Sequence, residues 1–152
     1  MKRVLLLIAL ISGLFLLSSC KKGDGDTTYF LACYDTASYV KSDFSSTINT
    51  MVKEKVEDWK KDHTLNWPAD PGRSQSEQDA EAVQYMEDAY ASFSKVAAKL
   101  RTDILAVDPN AILAFSWTFE VMRLDRTTTR LPASKPYSKK VEILNGELPQ
   151  SD

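Results

Sequence analysis

Few side chains in this chain are of a type and spacing to do chemistry. His63 is the only histidine, and with no cysteine or second histidine near it there is no set of zinc-type ligands. A nucleophilic triad built on it would have to draw serine and aspartate partners from distant segments. No G-x-S-x-G, no H-E-x-x-H and, among only five glycines, no phosphate-cradling loop occurs. Glu87 and Asp88 are adjacent, and adjacent helical residues do not face each other, so they read as a solvated face. Glu120 stands among aromatic residues in a strand-like run, where a carboxylate can be perturbed, yet alternation turns it away from the core. Trp59 and Trp117 fall on core positions by periodicity. Of the three tryptophans that leaves Trp67, in the proline-rich stretch Trp67-Pro68-Ala69-Asp70-Pro71-Gly72, as the one available as a platform for a sugar or peptide, with local packing as its simpler role. No catalytic set, metal or cofactor is expected.

One charge asymmetry stands out. Between Arg123 and Lys140 the chain carries Arg123, Arg126, Arg130, Lys135, Lys139 and Lys140 against Asp125 alone, a local balance of +5. Arg126, Arg130 and Lys135 are the candidate binding residues, suited to acidic headgroups, anionic glycans or an acidic partner protein. A plain solvated loop is the competing reading.

The elements that must position these residues follow from hydrophobic period. Thr28–Tyr34 alternates, with Tyr29, Leu31 and Cys33 on one face and Phe30, Ala32 and Tyr34 on the other, and predicts a central or well-covered strand. Cys33 is expected to be a buried free thiol. Asp35 and Thr36 offer an N-cap for a helix running to about Lys61, with Val40, Phe44, Ile48, Met51, Val52, Val56 and Trp59 on one face. A loop through Trp67 and Gly72 follows. Ser74-Gln75-Ser76-Glu77 has capping-box spacing, and Glu77, Asp79 and Glu81 place negative charge near the positive end of a second helix. Its seam is Val83, Met86, Tyr90, Phe93, Ala97, Leu100, Ile104 and Val107, and Asp108-Pro109-Asn110 ends it. The seam is compatible with an intermolecular coiled coil, but Tyr90 and Ala97 at core-like positions favour internal packing as an antiparallel helical hairpin. Leu113, Phe115, Trp117, Phe119 and Val121 alternate with Ala114, Ser116, Thr118 and Glu120 as a half-buried strand, and Val141–Leu144 is a last short one. The expected fold class is α+β: a small antiparallel sheet of about three strands, in the order strand, helix, helix, strand, strand, packed under the helical hairpin.

At the amino end, Lys2 and Arg3 precede a mostly apolar run of about 14 residues, Val4 to Leu17, too short to span a bilayer core of ~30 Å. Leu17-Ser18-Ser19-Cys20 then resembles the lipobox of bacterial lipoproteins, a resemblance confined to the first 20 residues. It implies cleavage before Cys20 and acylation of that cysteine, so that 1–19 is a signal peptide, 20–27 a lipidated cysteine with a flexible tether, 28–145 a single α+β domain and 146–152 a frayed tail. Seven residues of tether reach at most ~25 Å. Several acyl chains, as the resemblance implies, anchor stably where one holds only marginally.

Removing residues 1–19 from the 152 leaves 133, enough for one core. Without Lys2 and Arg3 the balance is 17 basic to 21 acidic residues, or −4, which argues against a nucleic-acid binder. The leading expectation is a non-enzymatic, monomeric binding module held to a membrane of the bacterial cell envelope, with the outer membrane the expected side. Its partners are the membrane through acylated Cys20 and an envelope protein or anionic surface. The alternative is a small-ligand binder or enzyme whose site has no linear signature.

Overall fold

The computed structural model describes residues 27–125, 128–131 and 138–146, with 128–130 described by backbone alone. The leader, Cys20 and the tail beyond Gly146 lie outside the described residues. The described chain is α+β, as expected from the sequence. Its elements are β1 (Thr28–Lys41), α1 (Ser45–Lys61), β2 (Asn66–Pro68), α2 (Gln75–Val107), β3 (Ile112–Leu124), β4 (Thr128–Arg130) and β5 (Ser138–Asn145).

The sheet is antiparallel, with five strands rather than about three. β3 lies at its centre, paired along one side with β1 and along the other with β5 and then β4, while β2 adds three residues to the far side of β1. Centrality therefore belongs to β3. β1 is an interior strand only over Thr28–Phe30, because β2 is too short to cover the rest. β3, the predicted Leu113–Val121 strand, and the two helices otherwise have the predicted layout. Trp59 meets Phe119 edge-on with ring centroids 5.6 Å apart, and Phe93 meets Trp117 at 5.1 Å, so both helices pack on the Leu113/Phe115/Trp117 face. The helices run antiparallel. Trp59 Nε1 donates to Ser92 Oγ at 3.3 Å, the Thr64 amide donates to Tyr85 Oη at 2.9 Å, and at the far end Ser42 Oγ donates to Asp108 Oδ2 at 2.5 Å. Edge-to-face aromatic pairs of this kind add ~0.5–1.5 kcal/mol each beyond the area they bury.

Local chemistry explains where the elements start. Ser74 and Glu77 form the expected capping box, each side chain satisfying the other's backbone amide, so α2 begins there. Its buried stripe is Ala82, Met86, Ala89, Phe93, Ala97, Leu100 and Ile104, with Val83 and Tyr90 at the margin. The buried stripe is thus displaced slightly from the predicted seam, toward Ala82 and Ala89.

The largest difference from the sequence reading is the length of β1. Asp35 and Thr36 do not cap a helix; the strand continues to Lys41, and α1 starts at Ser45 behind Phe44, which makes no side-chain cap. A β-bulge is the cause. Asp35 pairs with Trp117 and Ala37 with Ser116, leaving Thr36 as the extra residue. Thr36 Oγ1 shares a 2.8 Å hydrogen bond with Ser116 Oγ and donates to the Ser116 carbonyl at 3.3 Å. One inserted residue exchanges the faces that follow, so Val40 lies opposite Leu113 on the helix side and joins the core margin, although it shares parity with outward Tyr34.

Candidate functional site

Register gathers three strand ends at one corner of the sheet. Thr28, where β1 begins, pairs with Leu124, and Leu124 pairs with Thr128, where β4 begins. The turn between β3 and β4 therefore sits beside the point at which the chain enters the domain. One position further in, Tyr29 pairs with Arg123, and both face the helices.

Arg123 continues the odd-numbered parity of Leu113 to Val121, which carries its guanidinium under the start of α2. Its Nη1 donates to both Asp79 carboxylate oxygens, at 2.9 and 2.7 Å, and Tyr29 Oη donates to Asp79 Oδ1 at 2.7 Å. With its amide oxygen turned inward, Gln75 accepts from Arg123 Nη2 at 2.8 Å. Arg123 Nε stands 3.4 Å from Asp125 Oδ2 without a hydrogen bond. Burial pulls the Arg123 pKa down, but the hydrogen bonds and charge of Asp79 outweigh it and leave it raised. A cavity of about 280 Å³ beside the cluster is lined by Thr27, Tyr29, Arg73, Gln78, Arg123 and Asp125, among others. Its polar walls are already engaged: Gln78 bonds the backbone of Asp70 and Arg73, and Arg73 pairs with Glu81. The arrangement clamps the first turn of α2 to β1 and β3.

Burial, then the hydrogen bond to Asp79 and its negative charge, push the Tyr29 hydroxyl from its ordinary 10.0 to about 12. A raised pKa means that the folded chain holds a proton the unfolded chain releases. The contribution is fully present below pH 10 and is lost as pH rises through about 12. Urea unfolding of Tyr29→Phe is therefore expected to show a shallower alkaline loss of stability than the parent over that interval. An unchanged slope would mean that Tyr29 does not couple to the cluster.

The basic stretch is only partly what the sequence suggested. Arg123 is spent on Asp79; Lys139 pairs with Glu87 and lies 4.9 Å from the Tyr90 ring centroid; Lys140 pairs with Glu142 at 2.7 Å. Three of its six cations are thus matched by acids, two of them from α2, which counting along the sequence could not reveal. Of the three candidate binding residues, Arg126 and Lys135 lie outside the described residues. Arg130 is placed by backbone alone, paired with Met122 in β4.

The other candidates fall into structural roles. His63 stacks on Trp59 with centroids 4.1 Å apart, its Nδ1 2.8 Å from the Trp59 carbonyl oxygen. Trp67 is in β2 and not in a loop, stacked 5.9 Å from Tyr29 and edge-on to Tyr85 at 5.1 Å, and it lines an open notch of about 260 Å³ with Thr64, Glu81, Ala82 and Tyr85. Glu120 is on the sheet face away from the helices, as alternation implied, yet it is 5% exposed and so buried. Cys33 is partly buried; burial, opposed by Lys60 and reinforced by Asp35, pushes its thiol to about 11. Among the described residues no group of His, Cys, Asp and Glu is gathered to hold a metal, and no helix is long and apolar enough to cross a membrane.

The Tyr29–Asp79–Arg123 cluster was missed as a unit, although each member stands on the core stripe of its element. A charge at a core position on one element calls for an opposite charge at a core position on another. No family model, no curated protein and no solved structure matches the chain.

Proposed function

We propose that this protein is a non-enzymatic, lipid-anchored binding module of the bacterial envelope, held by acylated Cys20 and working against an anionic surface through Arg126, Arg130 and Lys135. The observation that carries this reading is the shared register of Thr28, Leu124 and Thr128. A tether ending at Thr27 enters the domain at the corner where the β3–β4 turn begins. Arg126 belongs to the connection between Leu124 and Thr128, and Arg130 closes β4. A seven-residue tether keeps that corner within ~25 Å of the membrane from which it starts. Charges act over about 8 Å at physiological ionic strength, so a hairpin beside the tether is the part of the domain best situated to feel headgroups. The chain beyond the signal segment is acidic overall, which favours turning its cationic corner toward an anionic surface and the remainder away.

The test uses the mature chain with Cys20→Ser, so that acyl chains do not mask the contribution, and vesicles of neutral lipid with or without anionic lipid. Each basic residue near such a surface contributes ~1 kcal/mol. Replacing Arg126, Arg130 and Lys135 together with glutamine is expected to weaken sedimentation with anionic vesicles by roughly a hundredfold at low salt, with little change on neutral ones. Equal binding by parent and triple variant would sink the reading. Binding by neither, with salt-sensitive capture of an acidic envelope protein by the parent alone, would move the site from lipid to protein.

A further inference from the structure

Packing leaves one tryptophan short of cover. Trp59 and Trp117 are buried, whereas Trp67 is half-buried, as is Tyr85, and both line the open notch of about 260 Å³ between β2 and α2. Buried Ala82 and exposed Thr64 and Glu81 complete its lining. The aromatic corner is built in advance of any ligand. Trp67 pairs with Tyr29 in register and stacks on it with 12° between the ring planes, Tyr29 is itself tied to Asp79, and the Tyr85 ring stands at 75° to Trp67. Rings held this way lose little freedom when a ligand covers them.

The polar groups around these rings are only partly used. Tyr85 Oη accepts from the Thr64 amide at 2.9 Å, and no acceptor among the described residues takes its own proton. The Thr64 hydroxyl makes no hydrogen bond among them either. One oxygen of the Glu81 carboxylate accepts from Arg73, which leaves the other open. The notch therefore offers two hydroxyl donors and a carboxylate acceptor beside an aromatic wall.

We propose that this notch binds a neutral sugar ring, whose C–H face lies against Trp67 and Tyr85 and whose hydroxyls bond Thr64, Tyr85 and Glu81. A sugar brings an apolar face together with a rim of groups that both donate and accept, which is the combination the notch leaves open. An organic cation suits the rings and Glu81 but brings no acceptor for the two hydroxyl donors. An acidic ligand meets the Glu81 carboxylate. Addition of a peptide strand is opposed by β2 itself. The Ala69 amide bonds the Thr27 carbonyl at 2.8 Å and the Leu31 amide bonds the Leu65 carbonyl at 2.9 Å, so Asn66 and Pro68 face the other edge, where Pro68 has no amide to give. The site does not involve Arg126, Arg130 or Lys135, and replacing them leaves it intact.

The test follows the indole N–H resonances of the three tryptophans by NMR, on the mature chain with Cys20→Ser, during titration with cellotetraose, chitotetraose and mannotetraose. Choline and a blocked alanine tetrapeptide are the controls. At least one saccharide is expected to shift the Trp67 resonance, identified by its loss in Trp67→Phe, with Trp59 and Trp117 unmoved. Trp67→Ala should weaken that binding by about tenfold, and Thr64→Val and Tyr85→Phe by about fivefold each, as loss of a ring contact and of single hydrogen bonds implies. Thr64 is exposed, so its variant keeps the test standing even if Trp67→Ala fails to fold. Three results would overturn the proposal: no Trp67 shift with any saccharide up to about 20 mM, a limit that corresponds to negligible affinity; a shift that both hydroxyl variants leave unweakened; or a response to choline or the peptide and to none of the saccharides.

Discussion

Asp79→Ala is expected to destabilise the fold by about 3 kcal/mol, more than any other single removal of a polar group at the candidate site. Asp79 accepts from Tyr29 and twice from Arg123, and the Asp79 and Arg123 side chains are only 19% and 12% exposed. Truncating the carboxylate leaves a guanidinium with the neutral Gln75 amide oxygen and a 3.4 Å contact to Asp125, and a phenol without its acceptor. Breaking one side of a fully buried pair costs ~3–5 kcal/mol, and the residual exposure here puts the loss at the lower end. For a domain of this size that is a fall of roughly 10–15 °C in Tm. Urea denaturation checks it, with the midpoint moving and the slope unchanged. Replacing both members, Asp79→Leu with Arg123→Met, should lose less than the single change, because no charge is then left uncompensated. A single-variant loss below ~1 kcal/mol would show that the pair behaves as a surface ion pair and that the clamp on α2 lies elsewhere.

The second large effect concerns location. Cys20→Ser in the full chain should move the protein from the membrane fraction to the soluble one, with unfolding of the domain itself unchanged. The thiol is the acylation point that the lipobox resemblance implies, and acyl anchoring contributes ~0.8 kcal/mol per buried CH₂, so several chains leave almost no free protein while none leaves only the weak surface attraction of the basic residues. Fractionation of cells before and after a high-salt wash separates the two contributions. Retention of Cys20→Ser through the wash would contradict lipid anchoring and would point to Val4–Leu17 as an uncleaved segment holding the chain.

The two experiments probe different levels of the molecule. Asp79 acts inside the domain, and its loss should leave fractionation of the surviving folded protein unchanged. In the proposed reading Cys20 acts through the tether, so its loss should leave urea unfolding unchanged. Crossed results would break the separation between anchor and module on which the proposed function depends.

What could be read from the chain alone was whatever depends on neighbours in sequence. Ser74 and Glu77 are three residues apart, so the capping box and the start of α2 were legible without any tertiary information. The alternation of Leu113 to Val121 and the three-and-four spacing of Met86, Phe93, Ala97, Leu100 and Ile104 set which faces are apolar, and with them the α+β class and the packing of two helices on one side of a sheet. The same alternation correctly turned Glu120 away from the helices, but it made the strand half-buried, whereas Ala114, Ser116 and Glu120 on the other face are buried as well.

Only the tertiary structure decided the rest, because it depends on partners far apart in sequence. The bulge at Thr36 is held by Ser116, 80 residues away, and without that partner Val40 reads equally well as part of a helix. Trp67 reads as a loop residue until β1 supplies a strand for Asn66–Pro68 to join. Arg123 counts as one more cation of a basic loop until Asp79, 44 residues before it, is brought beneath it. Periodicity reports which side of an element is buried; which charge meets which is set by register and by the closing of long loops.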